Sequence, residues 1–194
     1  MSRLAACATV VVSAVVLSAG PVAVADPSPG RHGDAAQHHT PAKPVSESAR
    51  LARSVLGAKG ISYATAHVEH TDKSSLPRQN LVDVSNGALA RTSPWGHKKG
   101  ARVALDARML NGVLKLSTQS HYRFEISELV GGRHGSGTSK HYAGRAVDVT
   151  WINGRHVGRK ADHRGFMNAC RKFGATLVLG PGDKGHDTHV HCQW

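Results

Sequence analysis

Tyr122-Arg123-Phe124-Glu125-Ile126-Ser127-Glu128-Leu129-Val130 alternates in polarity, with Tyr122, Phe124 and Ile126 on one side and Arg123, Glu125 and Ser127 on the other. Period-two alternation over this length predicts a half-buried strand. A glycine-rich loop follows over 131–137, and a second strand is predicted over 145–151. Residues 164–173 read as a helix stopped by Gly174, and 175–179 as a third strand. Pro181-Gly182-Asp183-Lys184-Gly185 is a turn, after which 187–193 returns as a fourth strand. Upstream, Leu105, Met109, Val113 and Leu116 fall at i, i+4, i+8 and i+11, so 101–116 is predicted to be a helix with one buried stripe. Residues 47–58 have helical spacing through Leu51, Val55 and Leu56, with Gly57 and Gly60 near the stop. Residues 61–81 carry mixed signals and receive no assignment. Helices come first, then strands with one helix inserted. That order predicts an α+β fold, with a mainly antiparallel sheet and helices packed on one face.

The two ends bound the mature protein. Arg3 precedes an apolar run from Leu4 to Leu17, and Ala23-Val24-Ala25 offers small residues before Asp26. This is the layout of a secretory leader over 1–25. A transmembrane anchor would need roughly 18–20 apolar residues, and Gly20-Pro21 interrupts this run. Residues 26–46 hold Pro27, Pro29, Pro41 and Pro44 among glycines and polar residues, and read as a linker. The remainder, 47–194, has the length of one domain. Lys and Arg number 25 against 13 Asp and Glu, a net charge of +12. With a leader directing export, anionic wall polymers or a membrane surface are the expected partners, and nucleic acid is not. Few aromatics are present to stack on bases. Cys7 leaves with the leader, so Cys170 and Cys192 remain, and an oxidising compartment favours a bridge between them. Cys170 shares the apolar stripe of its helix with Phe166 and Phe173, and Cys192 projects from the sheet face opposite His191. A bridge there would close a loop of about 20 residues, stabilising by roughly 3 kcal/mol.

Two short segments carry chemistry, Ser139-Lys140-His141-Tyr142-Ala143-Gly144-Arg145-Ala146-Val147-Asp148 and Asp187-Thr188-His189-Val190-His191. Residues two apart in a strand share a face. Asp187, His189 and His191 are therefore expected to project together, and Ala146, Asp148 and Thr150 likewise. If the strands are neighbours, Asp148 and one or two histidines converge, and Gly144 lets the backbone turn His141 toward the same point. Two imidazoles and one carboxylate with an open fourth position make a catalytic type of zinc site. With 14 histidines in the chain, surface or core histidines are the competing reading. His67-Val68-Glu69-His70 fits one helical face poorly and reads as surface.

These residues resemble a known family. Ser139-x-His141-x-x-Gly144-x-Ala146-x-Asp148 followed by His189-x-His191 resembles the zinc D-Ala-D-Ala carboxypeptidases and related bacterial wall peptidases. It also resembles the amino-terminal signalling domain of hedgehog proteins, which shares their fold, and the match spans roughly 101–194. The resemblance implies that His141, Asp148 and His191 bind one zinc ion, with His189 beside the metal to hydrogen-bond the substrate carbonyl or its adduct. It also implies a carboxylate base, for which Asp187 is the candidate, with partnership to His189 as the alternative. Several relatives place a glutamate at another offset, and no glutamate lies near His189 here. A substrate-carboxylate arginine is implied as well: Arg133 is preferred over Arg123, and Ser139 is the second substrate-binding candidate. The acidic calcium cluster of hedgehog domains has no counterpart, because 131–140 contains no carboxylate.

The resemblance thus implies a secreted, wall-associated zinc peptidase acting on peptidoglycan stem peptides, with release of the terminal D-alanine as the expected cleavage. A zinc-stabilised wall-binding module that cleaves nothing is the alternative.

Overall fold

A computed structural model describes residues 45–158 and 161–194. The predicted leader over 1–25 and nearly all of the predicted linker over 26–46 lie outside the described residues. No described helix is long and apolar enough to cross a membrane.

The chain is mixed α+β, with four described helices and a mainly antiparallel sheet. Helix α1 spans Glu47–Gly57; the Ser46 side chain accepts from the Ala49 amide, and Leu51, Ala52 and Val55 are buried. Such a cap satisfies one of the otherwise unpaired first-turn donors. The unassigned stretch resolves into strand β1, Ile61–Tyr63, and helix α2, Pro77–Ser85, whose proline sits at the helix start where its missing N–H costs nothing. Strands β2, Ala90–Arg91, and β3, Arg102–Val103, form a separate antiparallel pair.

Helix α3 spans Ala107–Thr118, six residues later than the predicted start at 101. Arg102 and Val103 are claimed by strand pairing, and the Asp106 carboxylate accepts from the Arg108 amide as an N-cap. Met109, Val113 and Leu116 are buried as the stripe requires, while Leu105 is buried from the extended segment ahead of the helix.

The main sheet runs β1-β4-β5-β8-β7, with β6, Arg155–His156, paired to β5. Here β4 is Phe124–Glu128, β5 Ala146–Ile152, β7 Leu177–Leu179 and β8 Val190–Gln193. Among the described strands, only the β1–β4 pairing is parallel. One face carries Val147, Val149, Val178, Val190 and Cys192 into the core shared with the helices. Helix α4, His163–Lys172, packs there, and the rings of Phe166 and Phe124 meet edge-on at 5.2 Å. The opposite face carries Asp148 and His191, directly paired across β5 and β8.

Strand β8 begins at Val190, three residues later than the predicted 187. The His186 amide donates to the Asp183 carbonyl and the His189 amide to the His186 carbonyl. Successive turns thus occupy the segment that was expected to be extended, so the two-residue rule does not reach Asp187.

Cys170 and Cys192 lie at disulfide distance, with Cα atoms 6.5 Å apart and both residues fully buried. Native protein purified without reductant is expected to show no reactive thiol before reduction. Replacing both cysteines by alanine is expected to cost about 3 kcal/mol in denaturant unfolding. Two titratable thiols in the native protein would contradict the pairing.

Candidate metal centre

Asp148 reaches the site from β5 and His191 from β8. His141 comes from a single 3-10 turn, His141–Ala143. Gly144 closes that turn at φ +66°, its amide donating to the His141 carbonyl and its carbonyl accepting from the Asp106 amide. A Cβ on Gly144 would collide with the Ala104 carbonyl. Glycine at this position therefore sets where His141 points.

Three donor atoms meet at the floor. His141 Nε2 is 3.1 Å from His191 Nδ1 and 3.2 Å from Asp148 Oδ1, and His191 Nδ1 is 2.9 Å from the same oxygen. His141 Nδ1 donates to the Leu129 carbonyl, which fixes the ring and turns Nε2 inward. A backbone carbonyl behind a histidine is a common way of presenting the opposite nitrogen to a metal. All three residues are buried. Burial opposes charge on His141, yet the Asp148 carboxylate outweighs it and holds the imidazole above its ordinary pKa. Asp148 likewise overcomes its burial and lies well below the usual carboxylate range, through His141 and His191.

His134 adds a fourth nitrogen-bearing side chain. Its Nε2 donates to the Gly131 carbonyl at 2.7 Å, and its ring stacks on His141 at 3.6 Å between centroids and 3° between planes. Burial, with the neighbouring His141 charge, pushes its pKa down to about 3. The donor atoms of His134, His141 and Asp148 all lie within 4.8 Å of one another, close enough to hold a metal ion.

The donors open into a cleft of about 890 Å³, whose walls include His67, Trp95, Glu128, Ser139, His186 and His189. Ser139 is half-buried there, its Oγ accepting from the His141 amide at 3.4 Å. Arg133 is exposed on the rim and paired with Glu69 at 3.3 Å. Arg123 lies away from the cleft, in a separate groove with Lys59 and Trp151. His189 is half-buried in the wall, its pKa lowered by burial. Asp187 is not brought to the site. It is exposed in a turn, with its carboxylate accepting from the Gly182 amide at 3.4 Å, and it does not line the cleft.

His67 corrects the surface expectation: it is buried, with Nδ1 2.8 Å from both Glu128 oxygens and Nε2 3.0 Å from Ser75 Oγ. His70 is exposed. Burial raises the pKa of Glu128, against the lowering effect of His67. Glu128 and His134 escaped sequence reasoning. Glu128 sits in a strand whose register shifts between Glu125 and Ile126 and again before Glu128, so Ser127 and Glu128 are both buried. His134 reads in sequence as one more loop histidine.

No protein-family model, curated protein or solved structure matches the chain.

Proposed function

We propose that this chain is a secreted zinc peptidase that cleaves peptidoglycan stem peptides, releasing the terminal D-alanine, with zinc on His141, Asp148 and His191. The observation that carries this reading is the trio of donor atoms 2.9–3.2 Å apart on the floor of an open cleft. Ligands about 2.0–2.1 Å from a tetrahedral zinc stand roughly 3.3 Å apart, so the three atoms match three corners. Both imidazoles offer a nitrogen to the centre, and no cysteine is needed.

His191 is favoured over His134 as the third ligand by ring geometry. A ring nitrogen's lone pair lies in the imidazole plane. Two parallel rings stacked at 3.6 Å cannot both aim that plane at one ion, whereas the His141 and His191 rings are tilted by 56°. His134 then acts as a shelf for His141. His191→Ala is expected to abolish stoichiometric zinc binding, while His134→Ala should weaken it about tenfold, as loss of an outer partner does. Equal loss in both variants, read by competition with a fluorescent chelator, would contradict this order.

Zinc held there supplies carbonyl polarisation and acidification of water. His189, which lines the cleft, is the residue assigned in this reading to donate to the developing oxyanion. Arg133 and Ser139 remain the substrate-side candidates, and the +12 charge suits an anionic wall. The placement of Asp187 favours a second reading, a zinc-stabilised wall-binding module, unless another carboxylate serves the reaction.

Mature protein incubated with purified wall fragments, with and without chelator, is expected to release one alanine mass by mass spectrometry. Intact fragments that still sediment with zinc-loaded protein would favour the binding module.

A further inference from the structure

We infer that Glu128, oriented by His67, is the catalytic carboxylate of this cleft; the inference rests on the peptidase reading above. Glu128 and Asp148 are direct partners across β4 and β5, and partners in an antiparallel pair project side by side on one face, with Cβ atoms about 4.5–5.5 Å apart. Glu128 therefore stands beside the proposed metal ligand and lines the cleft, whereas Asp187 lies in the turn ahead of β8.

A chain of hydrogen bonds fixes its orientation. The Gly132 amide donates to Ser93 Oγ at 2.9 Å, and Ser93 Oγ lies 2.7 Å from Ser75 Oγ. Ser75 Oγ lies 3.0 Å from His67 Nε2, and His67 Nδ1 faces Glu128. With the Nδ1 hydrogen of His67 donated to the carboxylate, Nε2 is left to accept from Ser75 at 3.0 Å or Ser93 at 3.5 Å, and Ser75 Oγ also reaches the Asp72 carbonyl at 3.3 Å. His67, Ser75, Ser93 and Glu128 are all buried, and such a chain is costly unless complete. Ser75 and Ser93 do not line the cleft, so they act through His67 as positioning residues. The backbone is shaped around the pair as well. A Cβ on Gly131 would come within 2.6 Å of the His67 ring, and one on Gly132 within 2.8 Å of the Glu128 carboxylate.

In the reaction, water oxygen adds to the carbonyl carbon of the scissile amide while Glu128 takes one water proton. The C–N bond then breaks, Glu128 passes that proton to the departing nitrogen, and an acid and an amine leave with the carboxylate regenerated. His67 holds the carboxylate in place throughout.

The test compares Glu128→Gln, His67→Leu, His67→Asn and Asp187→Ala in full-length mature protein on wall fragments, with zinc content measured alongside. Glu128→Gln is expected to keep one zinc and a KM within about twofold while kcat falls about 10²–10⁴-fold, the usual range for a lost acid–base group. His67→Leu should lower kcat at least tenfold at unchanged KM. His67→Asn, which can present an N–H near the Nδ1 position, should recover most of it, a rescue that general packing damage would not give. Asp187→Ala should stay within threefold of wild type. Should Glu128→Gln not fold, the His67 pair decides the matter: unchanged kcat in His67→Leu overturns the inference. Near-normal turnover in Glu128→Gln with loss in Asp187→Ala also overturns it. A zinc-loaded wild type that cleaves nothing instead overturns the peptidase reading beneath.

Discussion

Asp148→Ala is expected to leave the protein without stoichiometric metal and with no more turnover than the chelated wild type. Asp148 Oδ1 is the atom that both His141 Nε2 and His191 Nδ1 approach. Without it two buried imidazoles face each other at 3.1 Å with no counter-charge. Metal and fold are linked by mass action, a thousandfold excess of metal over Kd being worth about 4 kcal/mol. For a domain of this size that is roughly 8–16 °C in Tm. Calorimetry should show wild type losing about that much on chelation and Asp148→Ala losing nothing further. Because the Asp148 carboxylate holds His141 above its ordinary pKa against burial, a protonated His141 must lose its proton before Nε2 can bind a metal. Zinc affinity is therefore expected to weaken as pH falls. A variant that keeps one equivalent of zinc would remove Asp148 from the ligand set.

Gly144→Ala is expected to be the most damaging single methyl addition near the site. Gly144 is left-handed at φ +66°, and the added Cβ meets the Ala104 backbone carbonyl, which cannot rotate away as a side chain could. Left-handed strain costs an alanine about 1–2 kcal/mol and overpacking about 1–3 kcal/mol. A combined loss of about 3 kcal/mol corresponds to roughly 6–12 °C in Tm. The turn held by the Gly144 amide on the His141 carbonyl would also shift, so zinc affinity should fall with stability. Unfolding and chelator competition measure the two together. An unchanged Tm would mean the loop yields where the structure shows contact.

The parts legible in sequence are those governed by local rules. The α3 stripe of Met109, Val113 and Leu116 is visible because helical neighbours are close in sequence, and Asp106 was there to mark the true start. The His141-to-Asp148 segment is legible because a glycine turn and one strand hold both residues within eight positions. The His191 face followed from alternation over the last strand alone. Asp187 was misplaced by extending the same alternation across His186 and His189, where backbone turns replace strand pairing. His67, Ser75 and Ser93 could not be read because they meet Glu128 and Gly132 only through tertiary contacts, 61 residues separating His67 from Glu128. Glu128 was hidden by the register shifts of β4: strict alternation puts it on the face of Phe124 and Ile126, whereas it pairs with Asp148.

Zinc K-edge X-ray absorption on protein purified without added metal tests the centre most directly. The account predicts one zinc with nitrogen and oxygen neighbours at about 2.0–2.1 Å and no sulfur near 2.3 Å, and a spectrum lost in Asp148→Ala and His191→Ala. A sulfur shell, or protein that takes up no zinc while correctly folded, would contradict it.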